Sequence, residues 1–89
     1  MATFTGMDIG QVRGFSGQLS TSAGQINEIV SKLSAMLGNT QWVGPDAAQF
    51  RQNWDCVHVQ ALRRVVAELQ EASQRARQNA DDQETTSAR

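Results

Sequence analysis

The sequence has 89 residues and a net charge of −1, with eight basic and nine acidic side chains. This length allows one domain at most, and charges spread along the chain argue against nucleic-acid binding, which generally uses a concentrated basic field. Cys56 is the only cysteine and His58 the only histidine, which excludes an intrachain disulfide and leaves a structural zinc site without enough ligands.

The N-terminal residues 1–7 are predicted to be flexible. The first 14 residues are polar and lack the apolar core of a cleavable signal peptide. No run of apolar residues approaches the roughly 20 that a membrane span needs. We therefore expect a protein without a membrane span, whose export would need a route that does not read a cleavable leader.

The first arm, residues 8–37, is predicted to be an amphipathic helix with Asp8 or Thr5 as its N-cap. Its apolar stripe is broader than a two-row coiled-coil seam. The stripe has two rows at heptad spacing, widened by four further residues: Val12, Leu19, Ile26 and Leu33; Phe15, Ser22, Ile29 and Met36; Ile9, Ala23, Val30 and Leu37. Several glycines interrupt this arm, and they predict either a fraying first turn or close approach of another helix.

Residues 38–44 are predicted to form a turn, because helix-stopping signals cluster there and the only proline, Pro45, follows directly. Gly44 is expected to supply a backbone conformation that a side chain would obstruct. Pro45 fits the first position of a second helix, where Asp46 complements the positive end of the helix dipole.

The second arm, residues 45–80, is predicted to be a helix whose apolar pattern recurs every eleven residues. The residues of this pattern are Ala47, Phe50, Trp54, His58, Ala61, Val65, Leu69, Ala72 and Ala76. Residues 81–89 contain one alanine and nothing else to bury, so they are predicted to be a frayed or disordered tail.

The predicted fold is therefore all-α, an antiparallel two-helix hairpin. Its apolar rows exceed what one neighbouring helix can cover, so two hairpins are expected to pair into a four-helix bundle, with a twofold homodimer as the commonest arrangement. The residues expected to pack in the core or the dimer are Val12, Phe15, Leu19, Ile26, Ile29, Leu33, Phe50, Trp54, Ala61, Val65 and Leu69.

The turn carries a family resemblance. Trp42-x-Gly44 lies mid-chain between two long predicted helices, and the run Trp-Val-Gly-Pro-Asp-Ala-Ala-x-Phe-Arg-x-x-Trp continues to Trp54. Over residues 7 to 80 the chain resembles the WXG family, the small early-secreted-antigen-like proteins of type VII (ESX-like) secretion in Gram-positive bacteria, and most closely its actinobacterial branch.

The resemblance implies a homodimeric or heterodimeric four-helix bundle that is secreted folded, with Trp42 and Gly44 as half of a composite export signal. The other half, Tyr-x-x-x-Asp or Glu, follows the second helix in the family and usually lies on the partner. This sequence has no tyrosine. A partner hairpin therefore supplies that half, or the protein is not exported by itself.

Simpler roles for the same residues remain open. Trp42 is either a recognition element or a cover over the helix ends, and Phe50 and Trp54 are expected in the core. His58 is expected at the rim of the bundle, and Cys56 is expected to face outward, where a disulfide between chains is the alternative. No nucleophile, base and carboxylate form a catalytic set, so we expect a non-enzyme without cofactor or metal.

Two main functions follow from these expectations. The first is a secreted substrate or secretion partner of a type VII system, whose partners are itself or a related WXG hairpin and the membrane ATPase of that system. It would be cytoplasmic before export and secreted afterwards. The second is an intracellular adaptor or chaperone hairpin that holds a larger toxin or helical partner. The third hypothesis is that the chain is a purely structural coiled coil.

Overall fold

A computed structural model describes residues 7–88, with side chains to residue 86. The predicted flexible N-terminus apart from Met7, the alternative cap Thr5 and Arg89 lie outside the described residues. Helix α1 spans Ile9–Asn39, helix α2 spans Pro45–Asn53, one π-helical turn spans Trp54–His58, and helix α3 spans Val59–Ala88. The second arm runs back along α1 in a rod of 66 × 17 × 14 Å. The predicted all-α antiparallel hairpin is confirmed.

Helix α1 begins and ends with side-chain caps. At its start the Asp8 carboxylate accepts a hydrogen bond of 2.9 Å from the Gln11 amide, as expected for an N-cap. At its end the Thr40 hydroxyl donates to the Met36 carbonyl at 2.6 Å, and the extended backbone of Thr40 stops the helix. The helix therefore runs two residues beyond its predicted end at residue 37, and the turn is correspondingly shorter.

The glycines of α1 do not mark a close helix contact. A Cβ atom added at Gly14, Gly17 or Gly24 would meet nothing within 4 Å. Within the hairpin, therefore, no helix approaches closely at these three positions, each of which lies on the exposed surface of α1.

The strip of α1 that faces the second arm follows a spacing of three and four residues as far as Val30, and Leu37 follows seven residues later. Its members alternate between buried and half-buried, and we call them the seam of α1: Val12, Ser16, Leu19, Ala23, Ile26, Val30 and Leu37. This spacing is that of a heptad repeat. The packing therefore uses one row of the predicted stripe together with the residues that widened it.

The seam of the second arm differs from the predicted one. Its members are Ala47, Trp54, Val59, Leu62, Val66, Leu69, Ser73, Ala76 and Ala80. The expected eleven-residue pattern is wrong at His58, Ala61, Val65 and Ala72, which are exposed, while two of its later members, Leu69 and Ala76, are half-buried in the seam. From Val59 onward the seam again follows heptad spacing, displaced by one residue from the phase that Ala47 and Trp54 begin.

The π-helical turn is the physical reason for this displacement. The Val59 amide donates to the Trp54 carbonyl five residues earlier, and the flanking residues keep right-handed helical torsions. A π turn takes one residue more than an α turn, so the helix axis continues while the seam moves on by one position. Val59, and not His58, then faces α1.

Two polar contacts lie within the seam. Ser16 and Ser73 are buried opposite each other, and each hydroxyl donates to the other residue's carbonyl, at 2.7 and 2.8 Å. Nearer the turn, the Trp54 indole donates to the Ser34 hydroxyl at 2.9 Å. Between them lies the main apolar cluster, formed by Val30, Trp54 and Val59. Buried polar groups with satisfied hydrogen bonds fix the pairing of the helices.

The predicted disordered tail is helical over residues 81–88, where α3 continues to Ala88. Arg13 on α1 explains this extension, because its guanidinium contacts Asp81 and Glu84 at 2.8 Å each. Hydrogen bonding to Arg13 lowers the pKa of the Glu84 carboxyl below its usual range. At the open end of the hairpin, where the helices have little apolar surface to bury, these ion pairs connect α1 and α3.

Candidate functional site

The turn between α1 and α2 is organised by one side chain. Arg51 donates to three backbone carbonyls: that of Trp42 at 2.6 Å, that of Thr40 at 3.0 Å and, more weakly, that of Leu37 at 3.3 Å. These carbonyls lie at the end of α1 and in the turn, where the helix leaves its last oxygens without internal partners. A planar guanidinium with several N–H groups suits this arrangement.

Gly44 closes the turn in a conformation that other residues rarely adopt. Its φ of 125° and ψ of 175° lie in a region that is almost restricted to glycine. The next residues follow directly into α2, with the Ala48 amide donating to the Gly44 carbonyl at 3.0 Å. The predicted backbone role of Gly44 is confirmed.

Trp42 lies over the start of the second arm and keeps 41 % of its surface exposed. Its ring contacts Phe50 at a centroid distance of 5.7 Å, Phe50 stacks on Trp54 at 6.2 Å, and Trp54 meets His58 at 6.4 Å. A row of four rings thus runs from the turn along one side of the second arm. The indole of Trp42 is held in place but remains accessible to another molecule.

The structure brings the two predicted recognition residues together and adds a third. Trp42 and Gly44 are two positions apart in one ordered turn. Arg51 of α2 fixes the backbone of this turn through its hydrogen bonds to the carbonyls of Trp42 and Thr40. Arg51 was not predicted as a residue of this site. Its position six residues after Pro45, close to the carbonyls that follow the last turn of α1, is the signal that would have found it.

One side of the hairpin carries an apolar face. We define the apolar face by its large exposed residues, Phe15, Ile29, Leu33, Met36, Phe50 and Val65. Phe15, Ile29 and Met36 each precede a seam residue of α1 by one position, and Val65 does the same in α3. Because the helices are antiparallel, the same displacement from each seam leads to the same side of the hairpin.

The opposite side of the hairpin is polar. Ser20 of α1 and the side chains of Gln70, Gln74 and Arg77 of α3 line a shallow depression there. Arg13 pairs with α3 on this side as well. The hairpin is therefore two-sided, and only one of its broad sides offers large apolar side chains for protein–protein contact.

A groove opens in the apolar face at the turn end of the hairpin. It has a volume of about 180 Å³ and lies between the end of α1 and the start of the second arm. Its lining residues are Leu33, Met36, Leu37, Thr40, Phe50 and Trp54. The groove is almost wholly apolar, so it fits an apolar or aromatic side chain better than a polar ligand.

The residues predicted for core or dimer packing divide into two groups. Trp54 is buried, and Val12, Leu19, Ile26 and Leu69 are half-buried, all within the hairpin. The exposed group consists of Phe15, Ile29, Leu33, Phe50, Ala61 and Val65. Phe50 is not enclosed by the single hairpin, because 41 % of its surface remains exposed, so its predicted packing in the core of a four-helix bundle stays a prediction. Sequence reasoning missed Ser16, Val59 and Ser73 as buried residues.

The ionisable side chains form no recognisable reactive centre in the part of the chain that the structure describes. No three His, Cys, Asp or Glu residues there converge as a metal site would require. Cys56 is exposed, as predicted, and His58 lies at the surface against the Trp54 ring. These positions leave the turn and the apolar face as the candidate functional surfaces.

Over residues 7–88, no helix is both long and apolar enough to cross a membrane. In comparisons with known proteins, no family model, curated protein or solved structure matches the chain. A functional assignment therefore depends on the residues of the turn and of the apolar face.

Proposed function

We propose that this chain is a non-enzymatic hairpin of the WXG type, and that it serves as a substrate or secretion partner of a type VII secretion system. The observation that carries the proposal is the turn, where a partly exposed Trp42 is fixed beside Gly44 by Arg51. Pro45 and Gly44 suffice to separate the helices. The accessible indole of Trp42 is not needed for the turn. The secretion machinery would recognise it.

The same proposal includes pairing of two hairpins into a four-helix bundle. The apolar face supports it, because large residues such as Phe15 and Ile29 remain exposed in a single hairpin. Packing two such faces together would cover both. The bundle would leave the turns at its ends, so pairing and recognition would use different surfaces of the molecule.

The absence of tyrosine bears on the role within such a system. In the family, a tyrosine-containing segment after the second helix completes the export signal. We infer that this chain contributes the Trp42–Gly44 half, while a related hairpin or a larger partner contributes the other. Export would then depend on co-expression of that partner.

An export assay tests the proposal. The chain is expressed in a Gram-positive host with a type VII system, and the culture supernatant is compared with and without the membrane ATPase. We expect ATPase-dependent export that Trp42→Ala reduces at least tenfold. Val43→Ala is the matched control, because Val43 is 92 % exposed in the same turn, and it should be exported normally.

Two results would argue against the proposal. A protein that stays in the cells with and without the ATPase, even when neighbouring hairpin genes are co-expressed, is not a substrate. Equal export of the Trp42 and Val43 variants would remove Trp42 from recognition. Circular dichroism of both variants checks that any loss of export is not a loss of folding.

An intracellular adaptor or chaperone is the second candidate, favoured by the missing tyrosine together with the open apolar face. Such a hairpin would hold a larger helical protein through Ile29 and Met36. It predicts that a larger protein co-purifies with the chain from its own host and that Ile29→Glu releases it. Retention in the cytosol, independent of the ATPase, would accompany that result.

A further inference from the structure

We infer that the polar side of the hairpin is a docking surface for an acidic polypeptide segment, and that Arg77, Gln70 and Gln74 bind a carboxylate of that segment. These three residues lie in the shallow depression beside Ser20. The surface is separate from the turn and from the apolar face. The inference therefore does not rest on the proposed function, and its test is independent of the export assay.

The depression is lined by polar side chains alone and has a volume of about 350 Å³. Its lining residues are Ser20 of α1 and Gln70, Ser73, Gln74 and Arg77 of α3. A water molecule occupies roughly 30 Å³ in the liquid, so the depression has room for a carboxylate together with the stem of its side chain. The Ser73 hydroxyl is buried and already donates to the Ser16 carbonyl, which leaves the other lining side chains for a ligand.

The hydrogen-bond donors of α3 in the depression have no partner within the hairpin. Among the described residues, none forms a hydrogen bond or an ion pair with the side chain of Gln70, Gln74 or Arg77. The nearby Arg75, by contrast, is paired with Glu71 at 2.6 Å. A guanidinium binds a carboxylate through two parallel N–H···O bonds, and each glutamine amide can donate to the same group.

The antiparallel pairing of the helices explains why Arg77 is free. Glu84 of α3 is bound by Arg13 of α1 at 2.8 Å. Arg77 lies seven residues before Glu84, and Ser20 lies seven residues after Arg13, so these two positions meet across the same side of the hairpin, where both line the depression. A serine therefore stands where an acidic residue would be needed to neutralise Arg77.

The acidic groups at the open end determine the direction in which a bound segment would run. Asp81 follows Arg77 by one turn, but its carboxylate accepts a hydrogen bond of 2.8 Å from Arg13. Arg13 also binds Glu84, so the two carboxylates and one guanidinium of this group have a net charge of −1. An acidic segment would be repelled there, and we expect it to run from Arg77 toward the turn.

A second cation lies in that direction. Arg63, Gln70 and Arg77 are seven residues apart on one side of α3, whereas Glu68 lies on the side of Val65. Among the described residues, Arg63 has no ion-pair partner either. The two arginines are about 21 Å apart at 1.5 Å per residue, a distance that six or seven residues of extended chain span at about 3.3 Å each.

A polypeptide fits this surface better than a nucleic acid. Surfaces that bind single-stranded nucleic acid combine a continuous basic groove with aromatic rings on which the bases stack. Here two arginines stand about 21 Å apart along the helix, and no aromatic residue lines the depression. Carboxylates spaced along a peptide can reach both cations without stacking.

Titration with a defined peptide tests the inference. The full chain, isotopically labelled, is titrated at low salt with hexaglutamate that is blocked at both termini, and the NMR signals of the Gln70 and Gln74 side-chain amides and of the Arg77 guanidinium are followed. We expect these signals to shift together and to saturate, and blocked hexaserine to leave them unchanged. Absence of shifts at millimolar hexaglutamate would overturn the inference.

Charge reversal separates the depression from general attraction. Arg77→Glu and Arg64→Glu change the net charge equally, but Arg64 is an exposed residue outside the polar side. We expect Arg77→Glu to weaken hexaglutamate binding about fivefold or more, as the loss of one ion pair and the added repulsion require, and Arg64→Glu to weaken it less than about twofold. Equal effects would overturn the inference. Circular dichroism checks that both variants remain helical.

Two further ligands establish that the carboxylate belongs to a polypeptide. Acetate at the same carboxylate concentration should bind at least about tenfold more weakly than hexaglutamate, because it cannot engage Arg63 and Arg77 together. Equal binding of acetate would indicate a site for small anions only, and tighter binding of an oligothymidylate of the same charge would indicate a nucleic-acid surface. Either result would overturn the inference.

Discussion

The amide of Val59 donates to the carbonyl of Trp54, five residues earlier in the chain. This one hydrogen bond reconciles two segments whose seams are out of phase, one that contains Ala47 and Trp54 and one that runs from Val59 to Ala80. Asn53 and Val59 on either side of it keep ordinary right-handed helical torsions, so the helical backbone continues through the π turn. The extra residue of the π turn is absorbed at the surface, where Cys56 and His58 are exposed.

Deleting one residue from the π turn should therefore preserve the fold. We expect the variant that lacks Cys56 to melt cooperatively, with a free energy of unfolding within about 1 kcal/mol of the parent or above it, because a regular α turn replaces the π turn. Thermal unfolding by circular dichroism measures this. Deletion of the exposed Gln70 is the control, and it should destabilise strongly because it rotates Ser73 and Ala80 out of the seam. Similar losses for both deletions would contradict this account.

Replacement of Arg51 should loosen the turn. Arg51→Ala removes the donors of three backbone carbonyls, and hydrogen bonds from charged groups contribute about 1.5–3 kcal/mol each when buried. Because this site is partly exposed, we expect a total loss of about 1–2 kcal/mol in urea unfolding. Arg63→Ala, at an exposed position of α3, should change stability by less than about 0.5 kcal/mol. Equal effects of the two substitutions would contradict a special role of Arg51.

The buried serine pair should behave as a coupled unit. Ser16→Ala or Ser73→Ala alone leaves a buried polar group with fewer partners, which costs about 1–3 kcal/mol. The double variant removes both hydroxyls and should lose less than the sum of the single losses, by about 0.5 kcal/mol or more. A double-mutant cycle by urea unfolding measures the difference. Strict additivity would show that the two hydroxyls do not depend on each other.

Acid should separate the open end of the hairpin. Hydrogen bonding to Arg13 lowers the pKa of Glu84, so this contact stabilises the fold above the usual range of a glutamate, near pH 4.3, and is lost as the pH falls through the lowered pKa. NMR titration of the Glu84 carboxyl should give a lower midpoint in the parent than in Arg13→Gln. Identical midpoints would mean that the ion pair does not form in solution.

Two glycines should respond to alanine with opposite signs. Gly24→Ala places a methyl group in open space within α1 and should stabilise the hairpin by about 1 kcal/mol. Gly44→Ala forces a side chain into the backbone conformation at φ 125° and should cost about 1–3 kcal/mol. Urea unfolding of both variants gives the signs. Destabilisation by Gly24→Ala would indicate a partner that contacts the glycine side of α1.

The first arm was largely predictable from its sequence, because bulky residues at heptad spacing such as Leu19, Ile26 and Val30 mark its buried strip. The second arm is predicted one residue out of phase at His58, Ala61, Val65 and Ala72, although Leu69 and Ala76 are predicted correctly. Its buried strip contains Ser73 and Ala80, which are too small or polar to stand out, while the more apolar Val65 lies beside it in the sequence and on the surface in the structure. Hydrophobic periodicity alone cannot locate a π turn.

The last turns of α3 were missed for a different reason. The polar composition from Asp81 to Thr86 predicts disorder, but Arg13 binds Asp81 and Glu84 from 68 and 71 residues away in the chain. Local composition does not reveal a contact at such a separation. In the same way, the sequence alone does not reveal the groove that Phe50 lines together with Met36 and Trp54.

The three hydrogen bonds that Arg51 donates at the turn all go to backbone carbonyls, which every amino acid possesses. We therefore expect the backbone conformation of the loop to tolerate other side chains in place of Gln41 and Val43, both of which are exposed. Such a loop can accumulate substitutions at these two places while its backbone remains unchanged. Related hairpins could then present different surfaces on one constant frame, and selection for a new binding partner would act on two residues without disturbing the fold.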